Sequence, residues 1–285
     1  MLERPASQAE REVVRFRNGR LVTETDVVAA EEPLEIRLLW QEDGGVRRKS
    51  IAITMRTPGH DYELAAGFLY GEGILKQRED VVDISYCADE DIDQVFNIVN
   101  VTLRPGLTFD IGRLERNFYT TSSCGVCGKA ALEGLEVQGC EVLPLGYRVP
   151  ASTICRLPDA LRAAQMVFER TGGRHAAGLF DQDGGLICLR EDVGRHNAVD
   201  KLVGDRLLAG ELPLADCLLL LSGRASFELI QKALMARIPL VAAVGAPSSL
   251  AVDLAASFGM TLIGFLRGES FNVYSCPERI GAPTA

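Results

Sequence analysis

From His196 to Ser275 the chain alternates helix-type and strand-type patterns, and that alternation constrains the fold more than any other feature. The segments "HNAVDKLVGDRLLAG", "SFELIQKALMAR" and "SSLAVDLAASFG" carry apolar residues at helical spacing, while "DCLLLLSG", "PLVAAVG" and "MTLIGFLRG" are short continuous apolar runs, followed by a last strand "FNVYS". Strands without polar alternation are buried on both faces, and strands joined through helices run parallel. Upstream, "LPDALRAAQMVFERTGG" reads as a helix with Pro158 in its first turn and a glycine pair at its end. "AAGLF" and "GLICLRE" flank "DQDG", an antiparallel hairpin signal. The C-terminal part is therefore expected to be a three-layer α/β/α sandwich with a sheet that is mixed at the hairpin.

The first half has a different texture. "LEIRLLW" and "RRKSIAITMRT" flank the turn "QEDGGV" and predict a hairpin, "DYELAAGFLYGEGIL" puts Leu64, Phe68 and Leu69 on one helical face, and "VVDISYCA" and "VFNIVNVTL" predict a strand pair. At 285 residues two domains, or one large domain with an elaborate N-terminal part, are expected, and we divide the chain near residue 118 into a smaller β-rich α+β part (1–118) and an α/β part (119–285). The formal charge of −9 argues against general nucleic-acid binding. The charged N-terminus lacks the apolar stretch of a signal peptide, and runs such as "CLLLL" are too short to span a bilayer, so a cytoplasmic protein is expected. Eight cysteines, mostly isolated in apolar segments, fit free thiols in a reducing compartment.

In an open α/β sheet ligands bind beyond the carboxyl ends of the strands. Three such ends share one chemistry: Ser222, Gly223 and Arg224; Gly245, Ala246 and Ser248; and Arg267, Gly268, Glu269 and Ser270. Glycine admits close backbone approach, helix N-termini offer free amides, and arginine clamps phosphate. Taken singly, each loop is better read as an ordinary βα turn with a solvated arginine; the three together make a phosphate or pyrophosphate ligand an equally good reading. The stretch "SCGVCGKA" imitates the end of a P-loop but has Ser123 for the first glycine and Ala130 for the Mg²⁺-binding hydroxyl, and no G-x-G-x-x-G opens a helix.

Cys124 and Cys127 in "SSCGVCGKAAL" allow four readings: a zinc half-site, a dithiol redox centre, a sulfur carrier, or ordinary core residues. Zinc wants a second close pair, which the sequence lacks, although His175, His196 or single cysteines could complete a site in space. For His196, in "EDVGRHNAV", the plain reading is a helix start with Asp192 or Asn197 capping free amides. A thiolate at the start of "GKAALEGL", beside Lys129, is activated by the helix dipole and suits acceptance and delivery of sulfane sulfur.

The segments "EEPLEIR", "ITMRTPGHDYELAAGFLYGEGI", "SSCGVCG", "EDVGRHNAVDK", "LSGRASFELIQKA", "GAPSSLAVDLA" and "FLRGESFNVYS" resemble the formate dehydrogenase accessory sulfurtransferases over nearly the whole chain. The resemblance implies a cytidine-deaminase-like fold for the C-terminal part, a homodimer, and a persulfide on Cys124 with Cys127 as its partner. It further implies a sulfur supply from a cysteine desulfurase and delivery to the molybdenum cofactor of formate dehydrogenase. By the same resemblance that cofactor, bis-molybdopterin guanine dinucleotide, is expected as a bound substrate at Phe265, Leu266, Arg267, Gly268, Glu269 and Ser270, where a GDP- or GMP-like moiety is also expected to fit. Deamination itself is not expected, because the H-x-E and P-C-x-x-C ligands of a zinc deaminase are missing. The rival reading is a non-catalytic chaperone that holds the cofactor and docks on the apo-enzyme.

Overall fold

The computed structural model describes residues 5–87, 95–109, 140–165 and 173–281. Cys124, Cys127 and the boundary placed near residue 118 lie outside the described residues. The first element is a hairpin of β1 (Gln8–Arg17) and β2 (Arg20–Ala29). Asn18 and Gly19, with φ of 50° and 78°, make the left-handed two-residue turn that matches strand twist. The sequence reading assigned nothing here.

A four-stranded sheet follows, built from β3 (Glu32–Glu42), β4 (Gly45–Arg56), β5 (Val81–Tyr86) and β6 (Ile98–Leu103) in the order β4-β3-β6-β5. The expected hairpin is present, turning through Asp43 and Gly44, again both at positive φ. Leu34, Ile36 and Leu38 alternate onto one face of β3 and are fully buried beside Val99 and Val101 of β6, which runs parallel to it. Helix α1 (Asp61–Gly71) buries Leu64, Ala65 and Leu69 in the same core.

In the second half β7 (Val149–Pro150) leads into α2 (Ala151–Ala164). Pro158 lies inside this helix rather than in its first turn. The reason is burial: Ile154, Leu157 and Leu161 form one apolar stripe spanning the proline, so the stripe, not the Pro signal, sets where the helix begins. Then come β8 (His175–Phe180), β9 (Leu186–Asp192), α3 (Arg195–Leu208), β10 (Leu218–Leu221), α4 (Phe227–Met235), β11 (Leu240–Ala243), α5 (Ser249–Ser257), β12 (Thr261–Arg267), β13 (Ser270–Ser275) and β14 (Ile280–Gly281).

Six of these strands form one sheet in the order β13-β12-β11-β10-β8-β9. β10, β11 and β12 are parallel, as continuous apolar strands require, and β8, β9 and β13 add antiparallel edges. Leu218, Leu220, Leu240 and Ala242 face α2, while Leu219, Leu221, Val241 and Ala243 face the core shared with α3, α4 and α5. That second core is continuous with the one under the four-stranded sheet. The join is the crossing of α1 and α3 at Gly67 and Gly204, where a Cβ on Gly204 would stand 1.8 Å from the Glu63 carbonyl oxygen. Backbone meets backbone at that crossing. Among the described residues no helix is long and apolar enough to cross a membrane.

Candidate functional site

The site forms because parallel strands deliver their carboxyl ends to one edge, and backbone hydrogen bonds then stitch the loops leaving them. Gly245 N donates to Gly223 O at 2.9 Å, Ala225 N to Ala246 O at 3.2 Å, and Phe265 N to Gly245 O at 3.1 Å. Gly245 has to be glycine: a Cβ there would lie 2.9 Å from Gly223 O and 3.0 Å from Arg224 N. Ser222, Gly223, Arg224, Gly245, Ala246 and Phe265 are thus brought together as the sequence expects. Ser248 is used structurally, its hydroxyl accepting from Ala251 N at the start of α5.

The segment Phe265–Ser270 divides. Phe265 is 42% exposed and holds φ of 55°, a conformation costly for a bulky residue, at an irregularity in the β12–β13 pairing. Leu266 points the other way and is fully buried in the core under α2. Arg267 pairs with Ser270 across a turn through Gly268 and Glu269, and all four are exposed.

Sequence reasoning missed part of this rim. β8 runs antiparallel to β10, so its first residue, His175, arrives beside the end of β10, and a Cβ on Gly223 would lie 3.2 Å from His175 Nδ1. Helix α3 starts at the same edge with Arg195 and His196. His196 Nε2 lies 2.8 Å from Glu228 Oε2 and 3.2 Å from Ser226 Oγ, both at the start of α4. This hydrogen bond holds the Glu228 carboxyl below the usual carboxylate range. Burial, reinforced by Arg195, His196 and Arg224, holds His175 below the ordinary imidazole range. The available signal was the position of both histidines at element starts flanking a hairpin, which only the strand order converts into proximity.

The capping expected around His196 is met only in part: Asp192 takes the Gly194 amide, but Gly194, the N-cap of α3, has no side-chain cap, and Asn197 donates to Met55 O and Asp192 instead of accepting an amide. Asp192, fully buried, accepts from Gly194 N at 2.8 Å and from Asn197 Nδ2 at 3.0 Å on one oxygen. Its other oxygen meets Thr57 N at 3.1 Å and Lys201 Nζ at 2.7 Å. Thr57 Oγ1 in turn accepts from Val193 N. The loop before α1 is thereby fastened to the loop before α3, and with it the rim.

Cysteine chemistry is distributed unevenly. Burial raises the thiols of Cys140, Cys155 and Cys276, pushes Cys217 to about 11 and Cys188 to about 12, and Cys87 is buried. Such thiols hold little thiolate near neutral pH. Cys140, where the described chain resumes after Phe109, has its Sγ 3.4 Å from Met235 Sδ at the C-terminal end of α4. The rim lies beyond the opposite end of that helix. Brief treatment of the native protein with iodoacetamide near neutral pH is expected to modify Cys124 and Cys127 ahead of all six other cysteines. Peptide mapping by mass spectrometry checks this, and first labelling at Cys155 or Cys276 contradicts it.

Comparison with known proteins places these features in context. The model of the FdhD/NarQ family matches residues 29–281. A sulfur carrier protein FdhD from Streptomyces coelicolor is 53% identical over 281 residues, covering 96% of each chain. Its counterpart from Mycobacterium tuberculosis is 49% identical over 279 residues, covering 95% of this chain and 98% of that one. A crystal structure described as a formate dehydrogenase accessory protein, from Desulfotalea psychrophila, aligns with a TM-score of 0.72 at 27% identity, covering 96% of this chain and 99% of that one.

Proposed function

The chain belongs to the FdhD/NarQ family, and from that membership we propose that it is a sulfur carrier serving formate dehydrogenase, with Cys124 as the atom-bearing residue. The carrying observation is the near full-length similarity to proteins named as sulfur carriers, in a chain whose one close thiol pair is Cys124 and Cys127. The Cys124 thiolate attacks the outer sulfur of a cysteine desulfurase persulfide. The new S–S bond forms as the desulfurase thiolate leaves, so the step is an exchange with no net oxidation. Cys127 stands two residues on as the partner thiol.

The acceptor in this reading is the molybdenum cofactor, bis-molybdopterin guanine dinucleotide, bound as a substrate along the rim. Arg224 offers a guanidinium to its phosphates beside Ser222, while Gly223 and Gly245, lacking side chains, let the ligand approach the backbone, and exposed Phe265 offers an aromatic face to guanine. Arg267, Gly268, Glu269 and Ser270 border it, while buried Leu266 shapes the strand beneath. A GDP- or GMP-like moiety suits the same groups. A cytidine-deaminase-like layering, a cytoplasmic setting and a homodimer complete the proposal. Exposed Val14, Phe16 and Leu21 on the first hairpin supply apolar surface for a second copy.

The test is intact mass after incubation with a cysteine desulfurase and cysteine. The wild-type chain is expected to gain about one sulfur atom, removable by reductant and absent from Cys124→Ala. No gain with a competent desulfurase, together with retained activation of formate dehydrogenase by a chain with both cysteines changed to serine, would establish the cofactor-holding chaperone instead.

A further inference from the structure

The rim carries a concentration of basic side chains that the sequence does not lead one to expect in a chain of net charge −9. His175, Arg195, His196 and Arg224 come from the starts of β8 and α3 and the end of β10. They stand near enough that Arg195, His196 and Arg224 each oppose protonation of His175, while Asp192 acts the other way on it. Asp192 is already committed to Lys201 and to the amides of Thr57 and Gly194. Glu228 is committed to His196, but its side chain is 63% exposed and free to turn outward. Arg195 Nε is buried and has no partner among the described residues. Buried donors left in that condition are costly, and a ligand oxygen removes the cost.

We propose that His175, Arg195, His196 and Arg224 form a binding site for a doubly charged phosphate group, and that its occupation draws a proton onto His175. The proposal deepens the function above, from which it takes the nucleotide as the source of the phosphate. In the free protein burial, with Arg195, His196 and Arg224 beside it, disfavours the protonated imidazole. A dianion seated among them reverses the local field, so one proton moves from buffer to His175 as the ligand enters, and the ring then donates to a phosphate oxygen. A phosphate oxygen takes the place of the Glu228 carboxylate on His196 Nε2, and Ser226 Oγ remains beside it. A singly charged ligand offsets too little of the positive field to produce the same uptake.

Calorimetric titration of the full chain at about pH 6.5, near the ordinary imidazole range, tests this with inorganic pyrophosphate, GDP and guanosine in two buffers of different ionisation heat. Pyrophosphate and GDP are expected to bind far more tightly than guanosine, with heats that differ between buffers in proportion to the proton taken up. A terminal phosphate with a second pKa of about 6 also changes its own ionisation on binding, so the readout is the difference between proteins. His175→Gln should take up close to one proton fewer per ligand than the wild type. Arg224→Gln, at an exposed side chain, should weaken both phosphates by about tenfold, the loss of one charge-assisted hydrogen bond. Glu228→Gln should tighten them, and Arg47→Gln, on the distant β3–β4 hairpin, should change nothing. The same proton uptake in His175→Gln as in the wild type, equal affinity for guanosine and GDP, or phosphate affinity indifferent to Arg224→Gln would each overturn the site. None of these results touches the mass gain on Cys124, so the carrier function stands or falls separately.

Discussion

Gly204→Ala is expected to cost the protein about 3 kcal/mol or more, lowering the melting temperature by on the order of 10 °C or preventing folding altogether. On an exposed helix the same change stabilises by about 1 kcal/mol, because alanine has the higher helix propensity. Here the sign reverses. A Cβ on Gly204 meets the Glu63 carbonyl oxygen at 1.8 Å, the Glu63 carbonyl carbon at 2.7 Å and Gly67 N at 2.7 Å. All three are backbone atoms of α1, so no rotamer relieves the contact and the helices must separate. Separation opens the core shared by Leu64, Val199, Leu202 and Val203, all nearly fully buried. Gly67→Ala should behave alike, since its Cβ would stand 1.8 Å from Asp200 O. Gly71→Ala is the control: its nearest obstacle is Lys232 Nζ at 3.3 Å, the end of a flexible side chain, and that variant should melt within a degree or two of the wild type. Thermal unfolding followed by circular dichroism reads all three. A Gly204→Ala chain as stable as Gly71→Ala would mean that the crossing is looser than described.

That crossing shows where the sequence is informative and where it is silent. The period and apolar character of Leu218–Leu221 and Leu240–Ala243 sufficed to read buried parallel strands, because burial on both faces leaves a local trace in residue type. The Asp43–Gly44 turn was legible because its two positive φ angles demand particular residues, and Asn18–Gly19 carried the same mark unread. Pro158 misled for the opposite reason: a local rule about where proline begins a helix gave way to a stripe of buried leucine and isoleucine. The site divides similarly. Loops at Ser222–Arg224 and Gly245 declare themselves by glycine after an apolar run. The approach of His175 to Gly223 depends on β8 inserting beside β10, a pairing of residues 46 apart as in the Ala176–Ser222 hydrogen bond, and no local pattern encodes it. Gly67 and Gly204 are likewise unremarkable in isolation, each a helix-weakening residue until the other helix arrives.

Asp192→Asn should be the most damaging single change near the rim, and the pH dependence of its effect identifies the cause. The wild-type carboxylate sits with Lys201 Nζ at 2.7 Å, both side chains almost completely buried. Lys201 keeps one further bond, to Thr57 O at 2.8 Å. Removing the negative charge leaves a buried ammonium with a neutral neighbour, a situation that typically costs about 3–5 kcal/mol. Burial already lowers the Lys201 pKa from its ordinary 10.5, with Asp192 as the largest influence opposing the fall, and the variant loses that opposition. The sign then follows from proton binding. Below the folded-state pKa both folded and unfolded chains hold the proton, so the folded chain bears the whole cost of the buried charge. Between that pKa and 10.5 the folded chain releases its proton while the unfolded chain keeps it, so stability rises with pH across this window. Urea denaturation from neutral pH to about pH 10 should therefore show Asp192→Asn recovering part of its deficit on the alkaline side, relative to the wild type. The double variant Asp192→Asn, Lys201→Met removes the stranded charge and should recover stability at neutral pH with no alkaline gain. If the single and double variants were equally unstable, the deficit would lie in the hydrogen bonds to Thr57, Gly194 and Asn197 rather than in the ion pair. In either case the start of α3 loses its anchor, and His196 and Arg195 lose the fixed position on which phosphate recognition at the rim depends.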